Sequence, residues 1–292
     1  MSAEAVAARV ALPFRIGART VGRVHRRLVR LSVPLEEAIA RRPLLLPGLP
    51  ATAHGYFVRA VPRDLLPKLA AGSGMRAFVR QSYPRHFASL DQDFETYLAG
   101  FSARSRSSLK RKRRRLEERS GGALDVRVYG SPQEMGEFYR HARAVSALTY
   151  QERLLDAGLP EGTLEEMKAL AANDCVRGWL LFVEGRAVSY LHAPARGGCL
   201  LYAHLGYDPA FADLSPGTVL QLEVMRMLMD ERRFRWFDFT EGDGQHKRRF
   251  ATGAVDSADL LLLRPSLANV AAARALNGFD GAVALTKRLL GR

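Results

Sequence analysis

Between Asp125 and Arg264 the chain alternates short apolar runs of strand length with longer stretches whose apolar residues recur at helical spacing. Asp125 to Tyr129 reads as a strand. Ser131-Pro132-Gln133-Glu134 then starts a helix, with a capping serine, a proline at the first position and an acid in the first turn. That helix runs to about Leu148, and a second is predicted from about Thr163 to Ala172. Trp179-Leu180-Leu181-Phe182-Val183 and Ala187-Val188-Ser189-Tyr190-Leu191-His192 flank Glu184-Gly185, which predicts a hairpin with a tight turn. Cys199 to Tyr207 reads as a further strand, and a loop from Asp208 to Pro216 leads to a helix at about Gly217 to Glu231. Strands at Trp236–Phe239 and Asp259–Arg264 and a helical tail from Ser266 complete the pattern. Three consecutive antiparallel strands, then strand-helix-strand and a closing strand, describe an α/β fold: a mixed, twisted sheet with helices on its faces.

Upstream the texture changes. Residues 92 to 119 read as one helix stopped by Gly121-Gly122. Between Gly55 and about Asp91, two strand-like pieces (Tyr56 to Val61 and Ala77 to Tyr83) enclose a short helix from Pro62 to Ala71, a thin sheet at best. Residues 1 to about 31 set seven arginines and one acid, Glu4, against Val10, Phe14, Ile16, Val21, Val24, Leu28 and Leu31. This spacing predicts amphipathic helix interrupted by Pro13, and Pro34, Pro43, Pro47 and Pro50 break up the linker that follows. No internal repeat of solenoid length is present. The expected division is 1–54 (basic segment and linker), 55–91 (a small lobe), 92–265 (the main α/β domain) and 266–292 (helical tail).

The 292 residues, 47% hydrophobic and 25% charged, are those of an ordinary globular protein, but the formal net charge is +14. Such an excess attracts polyanions: nucleic acid, anionic lipid or phosphorylated substrates. Two cysteines, Cys175 and Cys199, are too few for a disulfide framework and fit a reducing cytoplasm. No apolar run approaches the roughly 20 residues that span a bilayer, and no secretory signal is read at the N-terminus. His141, His192 and His204 lack ligand spacing to acids or cysteines, so no metal site is expected.

Charge concentrates in two places. Arg104, Arg106, Lys110, Arg111, Lys112, Arg113, Arg114, Arg115 and Arg119 face only Glu117 and Glu118, and Leu109 and Leu116 lie two helical turns apart on one face. The helix is either a solvated face or a contact for phosphates, of nucleic acid or of a phosphorylated substrate. Aromatic interleaving for base stacking is absent, which argues against single-strand recognition. The basic N-terminal segment suits either an interfacial helix on anionic lipid, which would place the protein peripherally on the inner face of the membrane, or a helix packed on the protein itself.

Two stretches carry candidate chemistry. In the first, Leu200 to Pro209 runs out as a strand, and Ser215-Pro216-Gly217-Thr218-Val219 opens a helix. Helix N-termini expose unpaired N–H groups and the positive end of the macrodipole, so they bind phosphate; these residues alone favour a plain strand-loop-helix connection with Ser215 as N-cap. In the second, the apolar strand around Phe237-Asp238-Phe239 ends in Thr240-Glu241-Gly242-Asp243 and then His246-Lys247, polar groups converging at a strand end, or else a solvated turn.

Taken in order, Gly206-Tyr207-Asp208-Pro209, Ser215-Pro216-Gly217, Phe237-Asp238-Phe239, Gly242-Asp243 and His246-Lys247 resemble the GNAT-type acyltransferase domain of FemAB-like and cellulose-biosynthesis-associated proteins. Arg106-Ser107-Ser108-Leu109-Lys110-Arg111 matches that family's upstream basic helix, so the resemblance covers roughly Tyr97 to Gly253. His246 stands where the family usually has tyrosine, and the N-terminal part is shorter than the usual first lobe. The resemblance implies a GNAT-like mixed sheet over 92–265 with a reduced N-terminal lobe. It also implies an acyl-CoA donor, most simply acetyl-CoA, whose pyrophosphate lies on Ser215, Pro216, Gly217, Thr218 and Val219. An amine or hydroxyl of an envelope polysaccharide, peptidoglycan precursor or related small molecule attacks directly. Glu241 or Asp243 is the expected base and His246 or Tyr202 the acid, with Lys247 orienting an acid or binding substrate. Arg106, Lys110, Arg111 and Asp238 are the implied substrate contacts. Some FemAB-like relatives use aminoacyl-tRNA as donor, which keeps a tRNA partner open. A non-catalytic basic module that docks on membrane or RNA is the rival from another class.

Overall fold

The computed structural model of the chain describes residues 6–16, 19–149 and 158–289. In chain order the strands are β1 Ala7–Ile16, β2 Arg19–Ser32, β3 Gly55–Pro62, β4 Arg76–Ser89, β5 Asp125–Tyr129 and β6 Val176–Val183, followed by β7 Arg186–Arg196, β8 Cys199–Leu201, β9 His204–Tyr207, β10 Trp236–Asp238 and β11 Gly253–Leu263. The α-helices are α1 Leu35–Ile39, α2 Leu66–Ser73, α3 Phe94–Ala99, α4 Ala103–Arg119 and α5 Met135–Leu148, then α6 Leu164–Ala171, α7 Pro216–Glu231, α8 Gln245–Phe250 and α9 Leu267–Leu289. Among the described residues no helix is long and apolar enough to cross a membrane. The chain forms two compact units: Met1–Arg85 with Val255–Arg292, and His86–Ala254.

The first unit has strand order β1-β2-β3-β11-β4. β1 and β2 form an antiparallel hairpin in which Val10 faces Arg26 and Leu12 faces Val24; β2 and β3 are parallel. One face of the hairpin packs on α9, with Leu12, Leu28, Leu261, Leu263, Ala273 and Leu276 as its core and the Phe14 and Phe279 rings edge to face at 5.3 Å. Over residues 7–16 and 19–31 the expectation of amphipathic helix is therefore corrected to a hairpin; residues 1–5, 17 and 18 lie outside the described residues. Leu12 and Leu28 turn inward while Arg9, Arg23, His25 and Arg27 stay exposed, a period-two pattern that long-range pairing selects over the helical one. Pro13, expected to interrupt a helix, sits in edge strand β1, where a missing N–H costs little.

Deep in this unit Asp259 is 2% exposed. Its carboxylate accepts from Ala60 N (3.0 Å), Tyr83 Oη (2.9 Å) and Gln81 Nε2 (2.8 Å). The Ala60 N–H is brought round by a left-handed backbone (φ 57°), and the β3–β11 register shifts between Ala258 and Leu260.

The second unit is a mixed, largely antiparallel sheet flanked by helices, ordered from the last residues of β4 through β10, β8, β7 and β6 to β5, with β9 also on β7. The predicted hairpin is β6–β7, its turn made by Glu184 (φ 52°) and Gly185 (φ 77°). Alternation along β6 builds two cores. Trp179, Leu181 and Val183 pack with Val219, Val224 and Leu228 of α7, while Leu180 and Phe182 pack with Met135, Phe138 and Ala142 of α5.

Two elements expected as single pieces are split. Residues 92–119 form α3 and α4, each with its own N-cap: Asp93 accepts from Thr96 N at 2.7 Å and Ser102 from Ser105 N at 3.2 Å. Cys199 to Tyr207 forms β8 and β9. β8 runs parallel to β10 as far as Leu201 opposite Asp238, and Tyr202 N still donates to Asp238 O at 2.8 Å. Beyond that point the strand leaves β10 and continues as β9 on β7, so β9 and β10 part company at Tyr202.

Candidate active site

Where β9 and β10 diverge, the N-terminus of α7 closes one side of a cleft of about 470 Å³. Asp208 ties down the approach to the helix. Asp208 is 3% exposed, accepts from Ala210 N at 3.0 Å and pairs with Arg186. Ser215 then turns the chain through a left-handed conformation (φ 55°, ψ 49°) that sets Pro216 as the first helical residue. The Ser215 side chain makes no capping bond; its carbonyl instead accepts from Thr218 N (3.0 Å) and Val219 N (3.2 Å). Pro216 has no N–H, so the Gly217 N–H is the first-turn donor left over among the described residues. A Cβ on Gly217 would lie 3.1 Å from Leu205 Cδ2 and 3.4 Å from Tyr207 Cδ1, so glycine is what lets α7 approach β9 this closely.

Of the five donor-site residues predicted, Ser215, Gly217 and Thr218 line the cleft. Pro216 and Val219 are buried, Val219 within the core beneath α7. Of the predicted catalytic residues, Tyr202 and His246 line it. Their rings are 5.8 Å apart, and Gly244 makes room: a Cβ there would stand 2.9 Å from His246 Cε1. Burial, with Tyr190 adding, raises the Tyr202 pKa, so its hydroxyl keeps its proton. Burial and then the Lys247 ammonium lower the His246 pKa, so its imidazole is neutral at pH 7.

The other predicted residues do not line the cleft. Lys247 Nζ donates to the carbonyls of Phe239 (2.6 Å) and Glu241 (2.5 Å) and stands 5.8 Å from the Tyr202 ring centre. It holds the turn after β10, and burial lowers its pKa against the opposing pull of Asp238. Asp243 accepts from His86 Nε2 (2.9 Å) and Arg248 (2.6 Å), with the His86 bond the chief cause of its lowered pKa. Glu241 is exposed. Asp238, 1% exposed, accepts from Thr240 N at 2.8 Å and so fixes the left-handed Thr240 (φ 62°).

Arg106 donates to the carbonyls of Phe101 (2.5 Å) and Ala99 (3.3 Å), fastening the α3–α4 joint. Lys110 and Arg111 are exposed on α4, whose Leu109 and Leu116 are buried and whose Arg113 bonds Glu223 of α7 at 2.8 Å. Burial, then Arg249 and Arg111, lower the pKa of Lys112.

Among the lining residues not predicted as site residues are Thr149 at the end of α5, Phe250, whose carbonyl accepts from Tyr97 Oη at 2.7 Å, and Gln221. The first two carry no sequence signal. Gln221 carried one: a polar residue inside the apolar run Val219-Leu220-Gln221-Leu222.

Residues 103–248, half of the chain, match the family model described as an acetyltransferase (GNAT) domain. No curated protein matches the sequence. Among solved structures, the chain is similar to FemX, with TM-score 0.57 and 12% identity over 88% of each chain. It is also similar to the C-terminal domain (DUF2156) of a protein described as a lysylphosphatidylglycerol synthetase from Agrobacterium fabrum, with TM-score 0.52, 14% identity, 77% of this chain and 71% of that one. At such identities the likeness is one of fold.

Proposed function

The chain belongs to the GNAT acetyltransferase family, and on that premise we propose that it moves an acyl group, most simply acetyl from acetyl-CoA, onto an amine or hydroxyl. The acceptor class is an envelope polysaccharide, a peptidoglycan precursor or a related small molecule, in line with the motifs shared with FemAB-like and cellulose-biosynthesis-associated proteins. One observation carries the reading: a single cleft joins the glycine-opened start of α7 to Tyr202 and His246 at the parting of β9 and β10.

The residues fit such a donor. Gly217 leaves a space that a Cβ would narrow against Leu205, beside a free N–H at the positive end of a 16-residue helix. Ser215, Gly217 and Thr218 hold the phosphates, with Pro216 and Val219 fixing the helix behind them. When bound, acyl-CoA supplies the thioester electrophile. His246, neutral at pH 7, takes the acceptor's proton and returns it to the departing sulfur; its lowered pKa makes the imidazolium a ready acid. Tyr202 stays protonated and donates a hydrogen bond to developing charge, since burial makes full proton loss costly. Glu241 and Asp243 stand outside the lining and serve the turn, and Lys247 and Asp238 hold that turn in place. Arg106, Lys110 and Arg111 contribute to the basic surface that draws anionic substrates.

The exposed face of the β1–β2 hairpin sets Arg9 directly opposite Arg27, with Arg23 and His25 beside them. Like charges opposed across strands repel, so this face gains from an anionic lipid surface, and we place the protein at the inner face of the membrane on that ground.

Thermal stabilisation tests the donor. Coenzyme A at a hundred times its dissociation constant stabilises by about 2.7 kcal/mol, a rise of several degrees in melting temperature for a specific ligand. No shift with coenzyme A or acyl-CoAs, alongside a shift with tRNA, would transfer the donor assignment to aminoacyl-tRNA, with turnover then measured on that donor.

A further inference from the structure

Gln221 lies on α7 one helical turn beyond Gly217, about 6 Å along the axis. It lines the cleft, is 3% exposed, and neither its Oε1 nor its Nε2 has a hydrogen-bond partner among the described residues. Its neighbours on the helix, Val219, Leu220 and Leu222, are buried apolar side chains. A carboxamide offers two N–H donors and a carbonyl with two lone pairs, and burying it unpaired costs stability that a leucine of similar volume would not. A group kept at that cost, on the wall of a cleft, finds its partner in what the cleft binds.

The chemistry of the missing partner follows from the carboxamide itself. One side needs an acceptor and the other a donor, close together, a pattern that an amide presents. Resting on the donor reading above, in which phosphates lie at Gly217, the partner sits a helical turn further in. The arm of coenzyme A carries amides between its pyrophosphate and its thiol, at that remove from the phosphates. We infer that Gln221 is a donor-binding residue that pairs with an amide in the arm of the acyl donor.

The test compares full-length wild type and Gln221→Leu by two measurements: the melting temperature without ligand and the dissociation constant for coenzyme A by calorimetry. The variant is expected to melt at the same temperature as wild type or higher, because a buried unpaired amide has been replaced by an apolar side chain. It is expected to bind coenzyme A about tenfold or more weakly, because an amide of the ligand is now buried against leucine. A melting temperature several degrees below wild type would show that the fold itself partners the amide, and would overturn the assignment. So would unchanged affinity for coenzyme A, and in that case the donor reading would stand without it. Absence of coenzyme A binding by wild type would remove the donor reading and Gln221's role together, an outcome distinct from the other two because it needs no variant to see.

Discussion

Asp259 and Gln221 are both polar and almost wholly buried, at 2% and 3% exposure, yet one has three hydrogen-bond donors and the other no partner among the described residues. The difference separates two uses of buried polarity. Asp259 ties β3, β4 and β11 of the first unit together, and every contact it makes is supplied by the protein. Gln221 sits in the wall of the second unit's cleft and is supplied with nothing. A satisfied buried group is architecture; an unsatisfied one beside a cleft is part of a recognition surface.

The sharpest way to break this contrast is to remove the satisfied group. Asp259→Ala leaves the Ala60 N–H and the Tyr83 hydroxyl buried without an acceptor and should cost about 3–5 kcal/mol in urea denaturation. A loss below about 1 kcal/mol would mean the network is ornamental, and Asp259 and Gln221 would no longer differ in kind. Within the cleft, His246→Ala should lower kcat about a hundredfold or more while coenzyme A binding persists, the sign of a proton-transfer role. Equal loss of binding and turnover would instead make the imidazole a ligand contact. The acid limb of kcat/KM should also fall below pH 6.5, because a lowered pKa keeps the imidazole neutral further into acid; an acid limb at or above 6.5 would remove His246 as its source.

A third buried polar group is unsatisfied like Gln221 but stands outside the cleft lining. His192 has neither ring nitrogen partnered among the described residues, stacks on His204 at 5.9 Å, and has its pKa lowered by burial and then by His204, to about 3. The unfolded chain binds a proton near pH 6.5 and the folded one near 3, so between these values stability falls as pH falls. His192→Leu should flatten that slope; an unchanged slope would assign acid sensitivity to other groups. The smallest effect is expected at Gly217→Ala. Its Cβ, 3.1 Å from Leu205, should weaken coenzyme A binding a few-fold, while better helix propensity offsets the crowding and leaves stability within about 1 kcal/mol. A Gly217→Ala protein that binds coenzyme A as wild type does would show that the start of α7 does not meet the donor so closely.

The pattern of apolar runs was enough to predict the α/β succession from Asp125 onward, because helix and hairpin periodicities are local and the turn at Glu184-Gly185 announces itself. It also placed the start of α7, and five residues singled out in the sequence, Tyr202, Ser215, Gly217, Thr218 and His246, line the cleft. The same local reasoning misread residues 7–16 and 19–31. Leucines, valines and arginines at mixed spacing satisfy a helix and a strand alike, and only pairing with β3 and cover from α9 decide between them. What tertiary structure alone decided is which polar side chains found partners. Lys247 and Asp243 look like cleft residues in the sequence, yet the carbonyls of Phe239 and Glu241 and the side chains of His86 and Arg248 claim them. Gln221, one polar letter in an apolar run, became a recognition group. Hydrogen bonding is short-ranged in space and blind to separation along the chain, so satisfaction is settled only when distant segments meet.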